Sequence, residues 1–143
     1  MPAGSVSLTV KRPLDEVFAY VADFERAPEW ITDLVRVEKL TPGDVGVGTR
    51  FTQVVSLGGQ ELEGTMEVRA YEPPHVYAYE GEGGPTRFTA RFTLTPEGES
   101  TLIRHDYEVV LGGGLALMAP VVSGWLKKNS ETALENLSHH LSR

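Results

Sequence analysis

The stretch "RFTQVVSLGGQELEGTME", residues 50–67, predicts a β-hairpin whose register can be checked on both faces. Two alternating runs flank a Gly58-Gly59 pair, which is typical of a two-residue turn. On one face, that turn pairs Leu57 with Gln60, Val55 with Leu62, Gln53 with Gly64 and Phe51 with Met66. On the other face, it pairs Arg50 with Glu67 and Thr52 with Thr65, which favours the same register. The hairpin therefore predicts an antiparallel sheet.

The same alternation extends from about Leu34 to Leu111, interrupted by turn signals such as "EPPH" and "PEGE", and predicts roughly six strands. Residues 5–12, "SVSLTVKR", predict an earlier strand. Two short helices follow it. The first is predicted in "PLDEVFAYVADF", with Pro13 at its first position, and the second in "ERAPEWI", which carries Trp30.

The C-terminal segment, "LALMAPVVSGWLKKNSETALENLSHHLSR", predicts a long amphipathic helix. At 100° per residue its apolar face consists of Leu115, Val122, Leu126, Ala133 and Leu137. Its polar face consists of Lys127, Lys128, Glu131 and Glu135. Pro120 must lie in the first turn or mark a kink.

The stretch "TLIRHDYEVVL", residues 101–111, contains a histidine beside an aspartate, but alternation separates them. His105 and Tyr107 share a face with apolar residues, whereas Asp106 and Glu108 point to the opposite, solvated face. The preceding strand carries its own apolar residues, Phe88, Ala90 and Phe92, on the face that matches His105. We therefore expect no His-Asp catalytic pair.

The candidate site is the concave face of the predicted sheet, which carries few polar groups. Gln53, His105 and Tyr107 lie among apolar residues there, and Asn129 lies near the middle of the helix's apolar stripe. Small residues, namely Gly64, Ala90 and in one orientation Ala78, are expected to leave a void. Apolar voids with a few polar groups are typical of small-molecule sites.

The strand "HVYAYEG", residues 75–81, permits two orientations. Either Tyr77 and Tyr79 face inward, or Val76, Ala78 and Glu80 do. An inward Glu80 would be a buried carboxylate with a raised pKa and a catalytic candidate.

The order of elements, together with "PLDEVFAYVADFERAPEW" at 13–30 and "VGVGTRF" at 45–51, resembles the SRPBCC, or START-like, superfamily. Within it, the chain resembles the polyketide cyclase/dehydrase and lipid-transport branch. The resemblance implies an α+β helix-grip fold: a curved antiparallel sheet of about seven strands around a long C-terminal helix, with two short helices between the first and second strands. It spans residues 1–143, which we expect to form a single domain.

The composition limits the kinds of partner and the chemistry that we expect. The formal net charge of -7 disfavours nucleic acid, and the lack of cysteine excludes thiolate chemistry. No stretch approaches the roughly 20 apolar residues of a membrane span, so we expect no stable membrane insertion and a cytoplasmic location. No cofactor or metal site is predicted.

The leading hypothesis is binding of a small hydrophobic molecule, such as a lipid, polyketide or isoprenoid-like compound, in a cavity between sheet and helix. The expected ligand-binding residues are Phe51, Gln53, Val55, Met66, Phe88, Ala90, Phe92, His105, Tyr107, Val122, Trp125 and Asn129. Trp30 and Trp125 are candidates to flank the cavity mouth.

One alternative is a metal-free enzyme of cyclase, aromatase or dehydratase type that uses His105 or Tyr107 as acid or base. A second alternative is an interaction module whose interior is filled.

Overall fold

The computed structural model describes residues 3–57, 59–83, 86–112, 117 and 119–142. Its strands are β1 (Ala3–Val10), β2 (Leu34–Lys39), β3 (Arg50–Leu57), β4 (Gln60–Glu72), β5 (Val76–Gly83), β6 (Thr86–Glu97) and β7 (Ser100–Leu111). Its helices are α1 (Leu14–Ala22), a 3₁₀ helix (Phe24–Glu29) and α2 (Ala119–Leu141).

The seven strands form one antiparallel sheet in the order β1-β7-β6-β5-β4-β3-β2. The two short helices lie between β1 and β2, and the long helix follows β7. This arrangement confirms the helix-grip fold. The register predicted for residues 50–67 is also confirmed on both faces, although Gly58 itself lies outside the described residues.

The first helix begins one residue later than predicted. Pro13 is extended, with a ψ of 151°, and serves as the capping residue before Leu14. Its carbonyl accepts a hydrogen bond from the Val17 amide at 3.1 Å. Val17, Phe18 and Val21 are buried, and they form the face of α1 that packs against the sheet.

The short helices close one end of the inner face of the sheet. The Phe24 ring packs 5.6 Å from Phe51 and 4.9 Å from Tyr79, measured between centroids. Trp30 packs edge-to-face on Phe92 at 5.8 Å. These contacts place a dense aromatic core beneath the helices.

The second half of α2 packs tightly against this end. Ala133, Leu134 and Leu137 are buried, and the Asn136 side-chain amide donates to the Trp30 carbonyl at 3.2 Å. The Arg12 guanidinium donates to the Leu141 carbonyl. These bonds join α2 to the segments on either side of α1.

The first half of α2 packs loosely. Val121 is 67% exposed and Trp125 is 42% exposed, while Val122, Leu126 and Asn129 are only half-buried. Pro120 is the second helical residue, so it lies in the first turn and not at a kink. The apolar face predicted for α2 is thus buried at Ala133 and Leu137 and partly accessible at Val122 and Leu126. Leu115 lies outside the described residues.

None of the helices in the described ranges is long and apolar enough to cross a membrane.

Candidate functional site

Strand β7 places its histidine and aspartate on opposite faces, as alternation predicts. His105 lies opposite Phe92 of β6 and Tyr107 lies opposite Ala90, all on the inner face. Asp106 points outward and forms an ion pair with Arg104 at 3.0 Å. The arrangement contains no His105–Asp106 catalytic pair.

Strand β5 adopts the first of its two possible orientations. Tyr77 lies opposite Phe92 and Tyr79 lies opposite Ala90, so both tyrosines face inward. Ala78 lies opposite Arg91 on the outer face. The expectation that Ala78 lies among the inner small residues is therefore wrong, because alternation directs it away from its tyrosine neighbours.

The same orientation excludes a buried catalytic carboxylate on β5. Glu80 points outward, where it forms an ion pair with the Arg69 guanidinium. That ion pair lies on the solvated face of the sheet.

Gly64 does not open the void that the sequence suggests. A Cβ atom at this position would lie only 2.5 Å from the carbonyl oxygen of Glu82 on β5. The expectation is wrong because the space is filled by the neighbouring backbone, and the glycine allows two strands to approach closely. Ala90, in contrast, is a buried inner-face residue between Tyr79 and Tyr107.

His105 is stacked on an aromatic ring in the interior. Its imidazole lies parallel to the Phe92 ring, with centroids 4.3 Å apart and planes 8° apart, and it is tilted 5.6 Å from Tyr107. Desolvation lowers the pKa of His105 to about 4, against a small opposing effect of Asp106. The imidazole is therefore neutral at pH 7.

Three buried side-chain atoms have no hydrogen-bond partner among the described residues: Trp30 Nε1, the Tyr77 hydroxyl and His105 Nε2. All three residues are neighbours of Phe92, two through ring contacts and Tyr77 through the β5–β6 register. Burial raises the pKa of Tyr77, so its hydroxyl keeps its proton. Buried polar atoms in proteins usually have a partner, so this group departs from the usual pattern.

Tyr107 lies toward the β1 edge of the inner face. Its hydroxyl covers Gly4, where a Cβ atom would lie 2.5 Å away. Burial, and to a lesser extent Glu131, raises the pKa of Tyr107. Tyr107 and His105 are thus brought together, whereas Gln53, although buried, lies on β3 with β4, β5 and β6 between it and β7.

The remaining predicted ligand-binding residues differ in exposure. Buried ones are Phe51, Met66, Ala90 and Phe92. Half-buried ones are Val55, Phe88, Val122 and Asn129. Trp125 is exposed, and Trp30 is buried deep in the core, so the two tryptophans occupy different environments.

The outer face of the sheet carries two open grooves of about 400 and 340 Å³. Charged side chains line them, including Arg69, Glu80 and Arg87. Arg69 and Arg87 form ion pairs there with Glu80 and Glu82, respectively. Such surfaces differ from the enclosed, mostly apolar sites that bind small molecules.

A family model described as polyketide cyclase/dehydrase and lipid transport matches residues 1–142. The chain belongs to this family. No curated protein matches the sequence.

Solved structures share the fold of this family member at low sequence identity. A START superfamily protein from Mycobacterium smegmatis is 20% identical, with a TM-score of 0.85 over 98% of this chain and 97% of that one. The Zhui aromatase/cyclase from Streptomyces is 16% identical, with a TM-score of 0.80 over 99% and 93%. A conserved protein from Geobacillus kaustophilus is 21% identical, with a TM-score of 0.80 over 98% and 95%.

Two of the three unpartnered groups in this family member, Trp30 and Tyr77, carry no sequence pattern that marks them as polar site residues. The sequence suggests Trp30 as a flank of the cavity mouth, whereas the structure places it in the core. For Tyr77, inward orientation was one of two open options, and the aromatic character of both Tyr77 and Tyr79 was the available signal.

We expect the free energy of unfolding of this family member to fall by about 3 kcal/mol between pH 7 and pH 4 on account of His105 alone. The unfolded chain binds a proton near pH 6.5, whereas folded His105 resists protonation until about pH 4. Stability is therefore lost as the pH falls through this window. Urea unfolding at several pH values should show a smaller loss in His105→Gln than in the parent.

Exposed His139→Gln provides the matched control and should keep the parental pH dependence. Identical pH dependence in the parent and in His105→Gln would contradict the buried neutral imidazole.

Proposed function

We propose that the protein binds a small, mainly hydrophobic molecule between the inner face of the sheet and the first half of α2. The observation that carries the proposal is the group of three buried, unpartnered polar atoms on Trp30, Tyr77 and His105. Leaving such groups unpaired costs about 1–3 kcal/mol each. A ligand that supplies hydrogen bonds would remove this cost.

The packing of α2 indicates where the apolar part of the ligand would lie. The second half of α2 is held by buried leucines, whereas its first half leaves Val122 and Leu126 half-buried above the sheet. Val55 and Phe88 are likewise half-buried. Ligand sites usually combine such apolar area with a few oriented polar groups.

The comparisons support this class of function without specifying the ligand. The family description includes lipid transport, and the structural relatives include an aromatase/cyclase. Besides His105, we propose Gln53, Tyr107 and Asn129 as further polar contacts, with Phe51, Met66, Ala90, Phe92 and Trp125 as the remaining apolar ones.

Native mass spectrometry of gently purified protein tests the proposal. We expect a discrete adduct that disappears on denaturation. Val122→Trp should abolish the adduct, because its side chain would fill the space beneath the loosely packed half of α2. Val121→Trp, one residue away and exposed, is the matched control and should retain it.

An adduct that persists in Val122→Trp would place the ligand elsewhere. A bare chain that also shows no stabilisation by apolar probes would favour an interaction module with a filled interior.

Catalysis of cyclase or dehydratase type is the second candidate function. The observation that favours it is the neutral imidazole of His105 on the inner face of the sheet. A pKa of about 4, however, makes His105 a weak proton acceptor at neutral pH. This supports a role in orienting the ligand over one as general base. In an enzyme, His105→Gln would lower turnover by about 10²-fold while binding survives.

A further inference from the structure

Strand β2 forms one edge of the sheet, and β3 is its single neighbouring strand in the described part of the chain. The amide of Leu40, directly after β2, donates to the Arg50 carbonyl of β3 at 2.9 Å. Because hydrogen-bonded and non-hydrogen-bonded pairs alternate in an antiparallel ladder, every second residue of β2 directs its backbone groups away from β3. Counted from Leu40, these residues are Lys39 and Val37. Their amides and carbonyls therefore lie at the open edge of the sheet.

The outer face of β2 carries opposite charges on the two sides of Val37. Arg36 and Glu38 lie on this face, and both are exposed. Among the described residues neither side chain forms an ion pair, whereas Arg69 and Arg87 on the inner strands of the sheet pair with glutamates. The counter-charges of Arg36 and Glu38 thus have to come from solvent ions or from another molecule.

Charged residues on an edge strand usually prevent edge-to-edge pairing. In β2, however, the order of the two charges makes the strand complementary to a second copy of itself in antiparallel orientation. If Val37 lies opposite Val37 of the second copy, Arg36 of each copy lies opposite Glu38 of the other, and cross-strand pairs of opposite charge are stabilising. The two Val37 residues then exchange both of their outward backbone hydrogen bonds.

The other nearby registers of this pairing are disfavoured. A shift by one residue would place the outward backbone groups of one strand opposite residues whose own groups point toward β3. A shift by two residues in either direction would place Glu38 opposite Glu38, or Arg36 opposite Arg36, and like charges directly opposite each other are destabilising. The backbone directions and the charges together select one register.

Apolar side chains at the two ends of β2 fit the same arrangement. Val35 is 44% exposed and Leu40 is 54% exposed. In the antiparallel register, Leu40 of one copy lies near the end of β2 that carries Val35 in the other copy. Pairing would therefore cover apolar area at both ends of the strand.

We infer that β2 is an interface for a second copy of this chain, which pairs with it edge to edge about a two-fold axis through Val37. Such an interface is isologous, since the same residues of both copies meet. It joins the two seven-stranded sheets into one continuous sheet. The inference goes beyond the proposed function and does not depend on it.

Two charge reversals test the inference together. Sedimentation velocity over a range of protein concentrations should show a monomer–dimer equilibrium for the parent. Arg36→Glu sets acidic side chains opposite each other, and Glu38→Arg sets basic ones opposite each other, so each variant alone should dimerise at least about tenfold more weakly. An equimolar mixture of the two variants should regain the parental affinity, because every cross-strand charge pair in the mixed dimer is again of opposite sign.

Arg91→Glu is the matched control. Arg91 is exposed on β6, three strands away from β2, and its reversal changes the net charge as much as Arg36→Glu does. This variant should dimerise like the parent. A parent that stays monomeric, or charge variants that dimerise as tightly as the parent, would show that the inference is wrong. A mixture that associates no better than either variant alone would show the same.

Discussion

Gly81→Ala is expected to lower the free energy of unfolding by about 3 kcal/mol, the upper part of the range for overpacking. A Cβ atom at Gly81 would lie 2.4 Å from the Thr65 carbonyl oxygen, 2.6 Å from the Phe88 ring and 2.9 Å from the Met66 Cβ. Phe88 could rotate away, but the Thr65 carbonyl belongs to the backbone of β4, and its displacement would disturb the β4–β5 pairing. Urea unfolding followed by circular dichroism measures the loss.

Gly83→Ala is the matched control on the same strand and the same face. Its Cβ atom would lie 3.6 Å from the nearest atom, the Glu63 carbonyl oxygen, which is an ordinary contact. We expect a change within about 0.5 kcal/mol. Equal effects of the two substitutions would show that the loss at Gly81 reflects the general cost of alanine in β5 and not the close approach of the strands.

Trp30→Ala should have the largest effect, a loss of about 4 kcal/mol, because a fully buried tryptophan is replaced by a cavity. The indole packs on Phe92, and its residue is 2% exposed. The Trp30 carbonyl also accepts the Asn136 bond that holds α2, so the cavity would form beside that attachment.

Trp125→Ala is the corresponding control, since Trp125 is exposed in the first half of α2. We expect it to change the free energy of unfolding by less than about 0.5 kcal/mol. A similar cost at both positions would mean that the first half of α2 packs against the sheet more tightly than the exposures of its side chains indicate.

The fold was predictable from sequence because its strands carry period-two patterns, and the two faces of a hairpin test its register independently. Residues 50–67 pair correctly on both faces in one register, and the turn composition agrees with that register. The orientation of His105 followed from the apolar alternation of β6 and β7. In these strands one face is clearly more apolar than the other, so a shift by one residue would expose the core.

Strand β5 was not predictable in this way because both of its faces are covered. Val76, Tyr77, Ala78 and Tyr79 are all buried, so alternation carries little information there. A register irregularity between Val68 and Ala70 of β4 further obscures the pairing.

The lack of hydrogen-bond partners at Trp30, Tyr77 and His105 could not be predicted from the sequence, for a different reason. Whether a buried polar atom finds a partner depends on the positions of every neighbouring side chain, and no residue pattern encodes that.

At the proposed ligand site, the unequal packing of α2 would separate ligand exchange from global stability. Its second half is fixed by buried side chains and by the Asn136 bond, whereas its first half has few buried contacts and belongs to the low-stability part of the fold. Opening the first half alone would admit or release a ligand while the core stays intact. The rate of ligand release would then be set by local fraying of the N-terminal end of α2. Substitutions that strengthen the packing of Ala133, Leu134 or Leu137 in the second half of α2 would then raise thermal tolerance and leave the residence time of the ligand unchanged.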